Sequence, residues 1–400
     1  MNQKNGKERK RKGSVWEVWK TAARLGLTSF GGPIAHLGYF REEYVNRRKW
    51  IDEKTYADLV ALCQFLPGPA SSQVGMAIGF IRAGFWGAIA AWAGFTLPSA
   101  VALAAFASLF KEISFRGTGW IHGLLVAAVA VVAHAVWGMA KNFATGRSRA
   151  TIAITAAILA LTIPGVLSQA GIILGAGIAG WFLFRKAPAA KPAPVSPSFH
   201  KRAAAVLLIL FFLLFGLLPA VRHYTGSHWI ALFDSFYRAG ALVFGGGHVV
   251  LPLLQAEVVP RGWLTADQFL AGYGAAQAVP GPLFTFASFI GMASFGWQGA
   301  VTATIAIFLP SFLLIIGILP FWNRLRQHPR FQAALNGIHA AVVGILLAAL
   351  YDPVWTKAIN SPADFCLALA AFGLLAVWKR PPWIVVGFSA AGGALLSLVS

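Results

Sequence analysis

The sequence predicts an all-α, polytopic membrane protein. It should be built from two inverted-topology repeats of about six helical segments each, with broken or re-entrant helices. Three observations predict this: an apolar composition, long uncharged runs, and an internal duplication.

Of 400 residues, 58% are apolar or aromatic and only 12% charged, with a mean hydropathy of +0.67. That is too little charge to coat a water-facing surface of this size. Residues 84–110 and 117–140 contain no Asp, Glu, Lys or Arg, and residues 268–323 extend the same pattern over 56 positions. As one helix that last run would span about 84 Å, against a hydrocarbon core of about 30 Å. It must fold back, and Gly296-Trp297-Gln298-Gly299 is the expected turn.

Thirteen apolar segments follow in order, near 16–44, 55–81, 85–110, 117–140, 149–162, 166–184, 203–221, 229–258, 266–294, 298–322, 331–351, 364–378 and 382–399. The division is a basic tail over 1–15, a first repeat over 16–185, and a Pro/Ala/Lys linker over 186–202. A connecting helix over 203–222 and a second repeat over 223–400 complete it. A linker of that composition stays solvated rather than packing.

The duplication appears as an ordered series of matches. Arg24 pairs with Arg238, Phe30-Gly31-Gly32 with Phe244-Gly245-Gly246, and Glu43 with Glu257, at a spacing of 214 residues. Trp50 pairs with Trp263, Gln64 with Gln277, and Pro67-Gly68-Pro69 with Pro280-Gly281-Pro282, at 213. Gly84, Gly87 and Pro98-Ser99 pair with Gly296, Gly299 and Pro310-Ser311, at 212. So many matches in one order mark a repeat rather than coincidence. Six segments in each repeat plus one between them start the second repeat on the opposite side, which is the inverted arrangement of many transporters.

The chain carries 33 Lys and Arg against 13 Asp and Glu, a net charge of +20. The bases lie between apolar runs, so they read as loops on the cytoplasmic side and not as a nucleic-acid surface. The tail bases Lys4, Lys7, Arg9, Lys10, Arg11 and Lys12 fit the same side, near anionic lipid. No short apolar run with a small-residue cleavage site follows that tail, so a signal peptide is not expected. One loop opposes this orientation: Arg41, Arg47, Arg48, Lys49 and Lys54 would face outward. If the first two segments both dip in and return, that loop moves inside and later parity is unchanged. The sequence alone is compatible with both readings.

Two duplicated motifs could carry chemistry. Phe30-Gly31-Gly32-Pro33 and Phe244-Gly245-Gly246-Gly247-His248 put glycine runs inside apolar segments, where Gly costs about 1 kcal/mol relative to Ala in a helix. Pro67-Gly68-Pro69 and Pro280-Gly281-Pro282 cannot continue a helix. Freed backbone at membrane depth needs protein or a wet cavity to satisfy it. A helix restarting after each second proline exposes N–H groups of Ala70, Ser71 and Ser72, or of Leu283, Phe284 and Thr285. Such ends favour an anion. Ser71, Ser72 and Thr285 add hydroxyls, and Gln64 and Gln277 add amides. The bland alternative is kinked, closely packed helices of the kind Gly allows in membranes.

Arg24, Glu43, Arg238 and Glu257 are the ionisable residues that repeat, and they are candidates for ion coupling or gating. The alternatives are arginines that snorkel to headgroups and acids in interfacial ion pairs. His248 alone among His122, His134, His248 and His339 follows a repeated motif, and no metal-ligand spacing joins them. Cys63 and Cys366 suit packing rather than a disulfide or a metal. The chain has no GxSxG, HExxH, P-loop or CxxC, so no catalytic residue, metal or cofactor is expected. Any uphill transport would draw on ion or voltage gradients.

These residues carry a resemblance. Phe30-Gly31-Gly32-Pro33, the charged stretch to Trp50, and Gln64-Phe65-Leu66-Pro67-Gly68-Pro69, with their counterparts, resemble the chromate ion transporter family in its long, two-domain form. The match runs from about Trp16 to Ser400, and the second half departs from the first at Gly247-His248. The resemblance implies a multi-pass protein of a bacterial or archaeal inner membrane that exports chromate, with sulfate as the isosteric competitor. The N-terminus is expected in the cytoplasm, the bilayer and the dianion are the partners, and a homodimer is compatible. The rival readings are a transporter of sulfate or another oxyanion and, more distantly, an intramembrane lipid-phosphate enzyme or lipid translocase.

Overall fold

The computed structural model describes residues 13–29, 32–110, 119–163, 166–184, 201–244, 247–322 and 328–399. Phe30, Gly31, Gly245 and Gly246 of the glycine motifs, nearly all of the basic tail and nearly all of the linker lie outside the described residues. The regular elements among the described residues are all helices, without strands. Five helical stretches are long and apolar enough to cross a bilayer: Ala70–Leu109, Gly119–Phe143, Lys201–Thr225, Leu283–Phe321 and Pro329–Ala358.

Each repeat opens with two short helical hairpins. In the first repeat, α1 (Val15–Thr28) leads to α2 (Gly32–Phe40), which runs on into a π-helical turn at Arg41–Arg47. Then α3 (Glu53–Phe65) leads to α4 (Ala70–Phe110). α1 starts under a Ser14 cap and α3 under an Asp52 cap whose carboxylate accepts from the Thr55 amide at 2.8 Å. Capping satisfies N–H groups that a helix start leaves open. The chain turns round between α1 and α2, because Arg48 beyond α2 lies 3.7 Å from Glu17 on the first turn of α1. It turns round again at Pro67-Gly68-Pro69, because Arg82 sits 5.2 Å over the Trp50 ring that precedes α3.

α4 itself is two antiparallel limbs. Ala83 and Gly84 leave helical geometry (Gly84 φ 70°), and a Cβ on Gly79 would lie 2.3 Å from the Gly87 carbonyl oxygen. Residues eight apart in one straight helix are about 12 Å apart, so the chain reverses here. The hairpins therefore dip in and return to one face, here called the first face. The basic loop of Arg41, Arg47, Arg48 and Lys49 lies on the same face as the start of α1, which removes the disagreement noted in the sequence.

The second repeat copies this plan. α5 (Gly119–Phe143), α6 (Arg147–Thr162) and α7 (Val166–Leu183) end the first repeat, and α8 (Lys201–Thr225) connects it to α9 (His228–Leu242). A 3-10 turn at Gly247–Val249 opens α10 (Val250–Val258), and α11 (Ala266–Ala276) follows. A second 3-10 turn, Leu283–Thr285, precedes α12 (Phe286–Ile318). α11 starts on a Thr265/Gln268 capping box, at the position equivalent to Asp52. α12 reverses at Gly296, φ 70°, within the turn expected from sequence. α13 (Pro329–Ala349), α14 (Pro362–Ala376) and α15 (Pro382–Val399) complete the chain.

The relation between repeats is inverted. The long second limbs of α4 and α12 pack antiparallel, with Phe85 against Phe312 (5.4 Å between centroids) and Trp92 against Phe308 (6.0 Å). α8 starts beside Gly317 at the far end of α12 and ends with Arg222 among the α9–α10 hairpin charges. The second repeat's hairpins thus open on the opposite, second face. The repeats also exchange their terminal helices. α5 packs on α14 and α15, and α13 packs on α6 and α7. Small residues allow the close approach: a Cβ on Gly393 would lie 2.6 Å from Gly123 Cα, and one on Gly180 would lie 2.8 Å from Gly337 Cα. Such seams hold membrane helices by packing, because lipid supplies no hydrophobic drive between them.

Candidate functional site: four hairpin tips at mid-depth

The tips of the four hairpins meet, and hydrogen bonds between the repeats join them. α1 ends at Ser29 and α9 at Val243, both in extended backbone, which releases their carbonyls from the helical ladder. The Gly68 amide donates to the Val243 carbonyl at 2.6 Å, and the Gly281 amide donates to the Ser29 carbonyl at 2.9 Å. Each Pro-Gly-Pro corner is therefore held by the glycine hairpin of the other repeat. Both glycines have positive φ, 117° at Gly68 and 101° at Gly281, a region that only glycine enters cheaply. A Cβ on Gly68 would lie 2.0 Å from Ser311 Oγ, and one on Gly281 would lie 2.8 Å from Ser99 Oγ. Ser99 and Ser311 are repeat equivalents and cross over in the same way.

Unpaired polar atoms gather around these corners. Ser29 Oγ, Ser72 Oγ, Gln73 Oε1, Thr96 Oγ1 and Ser311 Oγ are buried without a hydrogen-bond partner. Ser29, Gln73, Thr96 and Ser311 are fully buried, and Ser72 is 2% exposed. Native proteins leave few such groups, and each one calls for an explanation. The hydroxyls of Ser29, Ser72, Thr96 and Ser311 are free to donate, whereas Gln73 Oε1 can only accept. The Nε2 of Gln73 already donates to the Pro67 carbonyl at 2.7 Å, which braces the corner.

Not every residue singled out in the sequence shares in this set. The Thr285 hydroxyl donates to the Pro282 carbonyl at 2.7 Å, because the restart after Pro282 is a 3-10 turn rather than an open α-helical end. Ser71 is engaged with His36 Nδ1 at 3.3 Å. Gln277 is partly buried with its side chain beside the Tyr273 hydroxyl, whereas Gln64 is exposed. His248 shares a 2.8 Å hydrogen bond with the Tyr273 hydroxyl on α11. Gly32, at φ 77°, begins α2, while Phe244 ends the α9 side of its tip in a non-helical position. Sequence reasoning missed Ser29, His36, Gln73, Thr96, Ser99 and Ser311. For Ser99 and Ser311 the available signal was the repeated Pro-Ser pair.

A charge network lies on each face. On the first face, Glu43 binds Arg48 at 2.7 Å and Arg47 at 3.1 Å, and Glu17 binds Arg82 at 3.3 Å. Burial pushes the Glu43 carboxyl up, but hydrogen bonds and charge from Arg48 and Arg47 outweigh it and hold the group below its ordinary range. On the second face, Asp234 binds Arg238 at 2.6 Å and Arg222 at 3.0 Å. Glu257 binds Arg261 at 2.6 Å, Arg222 at 3.5 Å and Arg238 at 3.6 Å. Each network thus joins two acids to three arginines, an excess of one positive charge. Arg24 differs from its equivalent Arg238: it is exposed on α1 and makes no ion pair among the described residues.

A separate cavity lies away from the tips. It measures about 990 Å³ and runs between α6, α7 and α10, with mostly apolar walls and Glu257 and Arg261 at one end. The tips bring together more hydrogen-bond donors, so they are the better candidate for a polar substrate. Among the described residues no group of His, Cys, Asp and Glu could hold a metal.

Comparison with known proteins agrees with this layout. The chain is 29% identical over 402 residues to a chromate transport protein of Pseudomonas aeruginosa, covering 92% of this chain and 89% of that one. It is 29% identical over 395 residues to a chromate transport protein of Cupriavidus metallidurans, covering 94% and 91%. An uncharacterized transporter of Bacillus subtilis, YwrA, is 32% identical over 177 residues, covering 42% of this chain and 97% of its own length, so that relative is about the length of one repeat. No solved structure matches. The sequence profile of the family described as chromate transporter matches twice, over residues 16–181 and 230–395, and the chain belongs to that family.

Proposed function

We propose that the protein exports chromate from the cytoplasm across a bacterial or archaeal inner membrane, with its N-terminus cytoplasmic. On this reading the dianion binds where the four hairpin tips meet. The observation that carries it is the crossed pair of hydrogen bonds, Gly68 to Val243 and Gly281 to Ser29, which assembles buried donors from both repeats at one depth. Preorganised neutral donors suit a small oxyanion, since each bond to a charged acceptor is stronger than a neutral one. The charge networks on the two faces would act as alternate gates, opening one face at a time around a fixed site.

Direction follows from electrostatics. Moving a dianion out of a cell that is negative inside gains about 4.6 kcal/mol per 100 mV, so voltage alone can drive export. Import would need coupled cations. Sulfate has the same charge and shape and is the expected competitor; a sulfate transporter with incidental chromate flux is the second reading. Uptake of radiolabelled chromate by everted vesicles, with and without sulfate, tests both. Voltage-driven uptake that excess sulfate blocks only partly supports chromate export. Uptake of sulfate many-fold more efficient than that of chromate favours the second reading.

A further inference from the structure

His36 ties the two kinds of tip together. Its Nε2 lies 3.2 Å from the Ser29 carbonyl, and its Nδ1 lies 3.3 Å from the Ser71 hydroxyl. A carbonyl only accepts, so Nε2 carries a hydrogen in the neutral ring. Nδ1 is then an acceptor, and the Ser71 hydroxyl must donate to it. The same Ser29 carbonyl accepts from the Gly281 amide. One imidazole thus connects the corner after Pro280 to the first turn of α4. In this state Ser71, 1% exposed, has spent its only proton on the histidine and cannot donate to an anion.

We propose that His36 is a proton-binding site coupled to the oxyanion, and that its protonation turns Ser71 into an anion donor. A hydronium ion gives up one proton to Nδ1, its O–H bond breaking and water leaving as the N–H bond forms, and the tips gain one positive charge. Nδ1–H then donates to Ser71 Oγ, and the Ser71 hydroxyl is released toward Ser72 and the open end of α4. Nε2–H stays on the Ser29 carbonyl, so the crossed hydrogen bonds of the corner are kept. An anion at the tips favours the imidazolium, and the imidazolium favours the anion, as linkage requires. The inference rests on the tip site proposed above.

The surroundings suit a single titration. α4 presents Ser71 and the edge of the Phe95 ring, 5.4 Å between centroids, and α1 presents Ser29. The nearby titratable group on α3 is Tyr56, whose hydroxyl donates to the Leu37 carbonyl. Glu43, Arg47 and Arg48 lie farther along the same hairpin and are paired to one another on the first face. No acid or base is paired with His36 among the described residues. The second repeat has Val250 at the equivalent position, so one proton site serves one anion site. His36 acts here as a positioning residue, through Ser71.

The test is proton uptake on anion binding. Purified full-length protein in weak buffer is titrated with sulfate, which stays a dianion across the range, while an indicator dye reports pH. Wild type should take up a proton as sulfate binds, and its affinity should rise several-fold as pH falls. His36→Gln keeps a donor for Ser29 and an acceptor for Ser71 but cannot become a cation. It should bind with one pH-independent affinity and no proton uptake. Ser71→Ala keeps the imidazolium charge but not the released hydroxyl, so its proton uptake and its low-pH gain in affinity should both shrink, and together. Proton uptake in His36→Gln equal to wild type, or sulfate binding by wild type without uptake, would overturn the proposal and leave the tip site standing. Sulfate binding that Ser72→Ala and Ser311→Ala leave unchanged would instead remove the tip site itself.

Discussion

The Gly68 amide donates to the carbonyl of Val243, 2.6 Å away across the boundary between repeats. Its counterpart, Gly281 to Ser29, repeats the contact with the halves exchanged. Neither repeat can therefore complete its Pro-Gly-Pro corner alone. A relative of one-repeat length would need a second copy or a partner repeat to make the same corner.

Gly68→Ala should be more damaging than Gly281→Ala. Both sites carry positive φ, but the added Cβ meets Ser311 Oγ at 2.0 Å in one case and Ser99 Oγ at 2.8 Å in the other. The left-handed backbone alone costs about 1–2 kcal/mol for a residue with a Cβ. Thermal unfolding in detergent should show the larger drop for Gly68→Ala. Adding Ser311→Gly should recover part of that drop but none of the drop in Gly281→Ala.

The two hairpins of each repeat should be reachable from one face only. A single cysteine at Lys49 should react with an impermeant reagent from the same side as one at Gly13, and one at Gly262 should react from the opposite side. Labelling of positions 49 and 13 from opposite sides would mean that the first segment crosses the bilayer.

The repeats and the interrupted helices were legible in the sequence because each Pro-Gly-Pro triplet cannot continue a helix and recurs in order, although single prolines such as Pro98, Pro219 and Pro310 stay inside helices. Pro67-Gly68-Pro69 could only be a corner, and the uncharged run of 268–323 could only fold back. The polar lining was hidden. Ser311 lies against Gly68 and Ser29 against Gly281, partners that meet only after the hairpins of an inverted repeat bring them together. Symmetry in sequence also misled about environment. Arg24 and Arg238 are equivalent, yet α8 covers α9 alone. It supplies Arg222 to Asp234 and accepts the Tyr237 hydroxyl at the Phe211 carbonyl. Among the described residues no helix covers α1 in this way, and Arg24 is exposed.

Asp234→Asn should destabilise the protein far more than Glu53→Gln. The Asp234 side chain is fully buried between Arg222 and Arg238, and breaking such a pair strands buried charge at a cost of about 3–5 kcal/mol. Glu53 and Arg41 are both 55% exposed, and a pair like that contributes about 0–1 kcal/mol. Melting temperatures of the two variants, measured side by side in one detergent, check the order.

Ser72→Ala and Ser311→Ala should each weaken chromate binding about five-fold, the scale of one hydrogen bond near 1 kcal/mol. Thr285→Ala should weaken it less, because that hydroxyl already serves the Pro282 carbonyl. The apparent KM for chromate in everted vesicles reads all three.

The central claim is that a single oxyanion site is formed jointly by the tips of both repeats. Equilibrium binding of chromate to the purified Ser72→Ala/Ser311→Ala double variant tests it most directly, because Ser72 comes from the first repeat and Ser311 from the second. The account predicts binding about 30-fold weaker than wild type, near 2 kcal/mol, with the ligand-free melting temperature unchanged. Wild-type affinity in that double variant would contradict it.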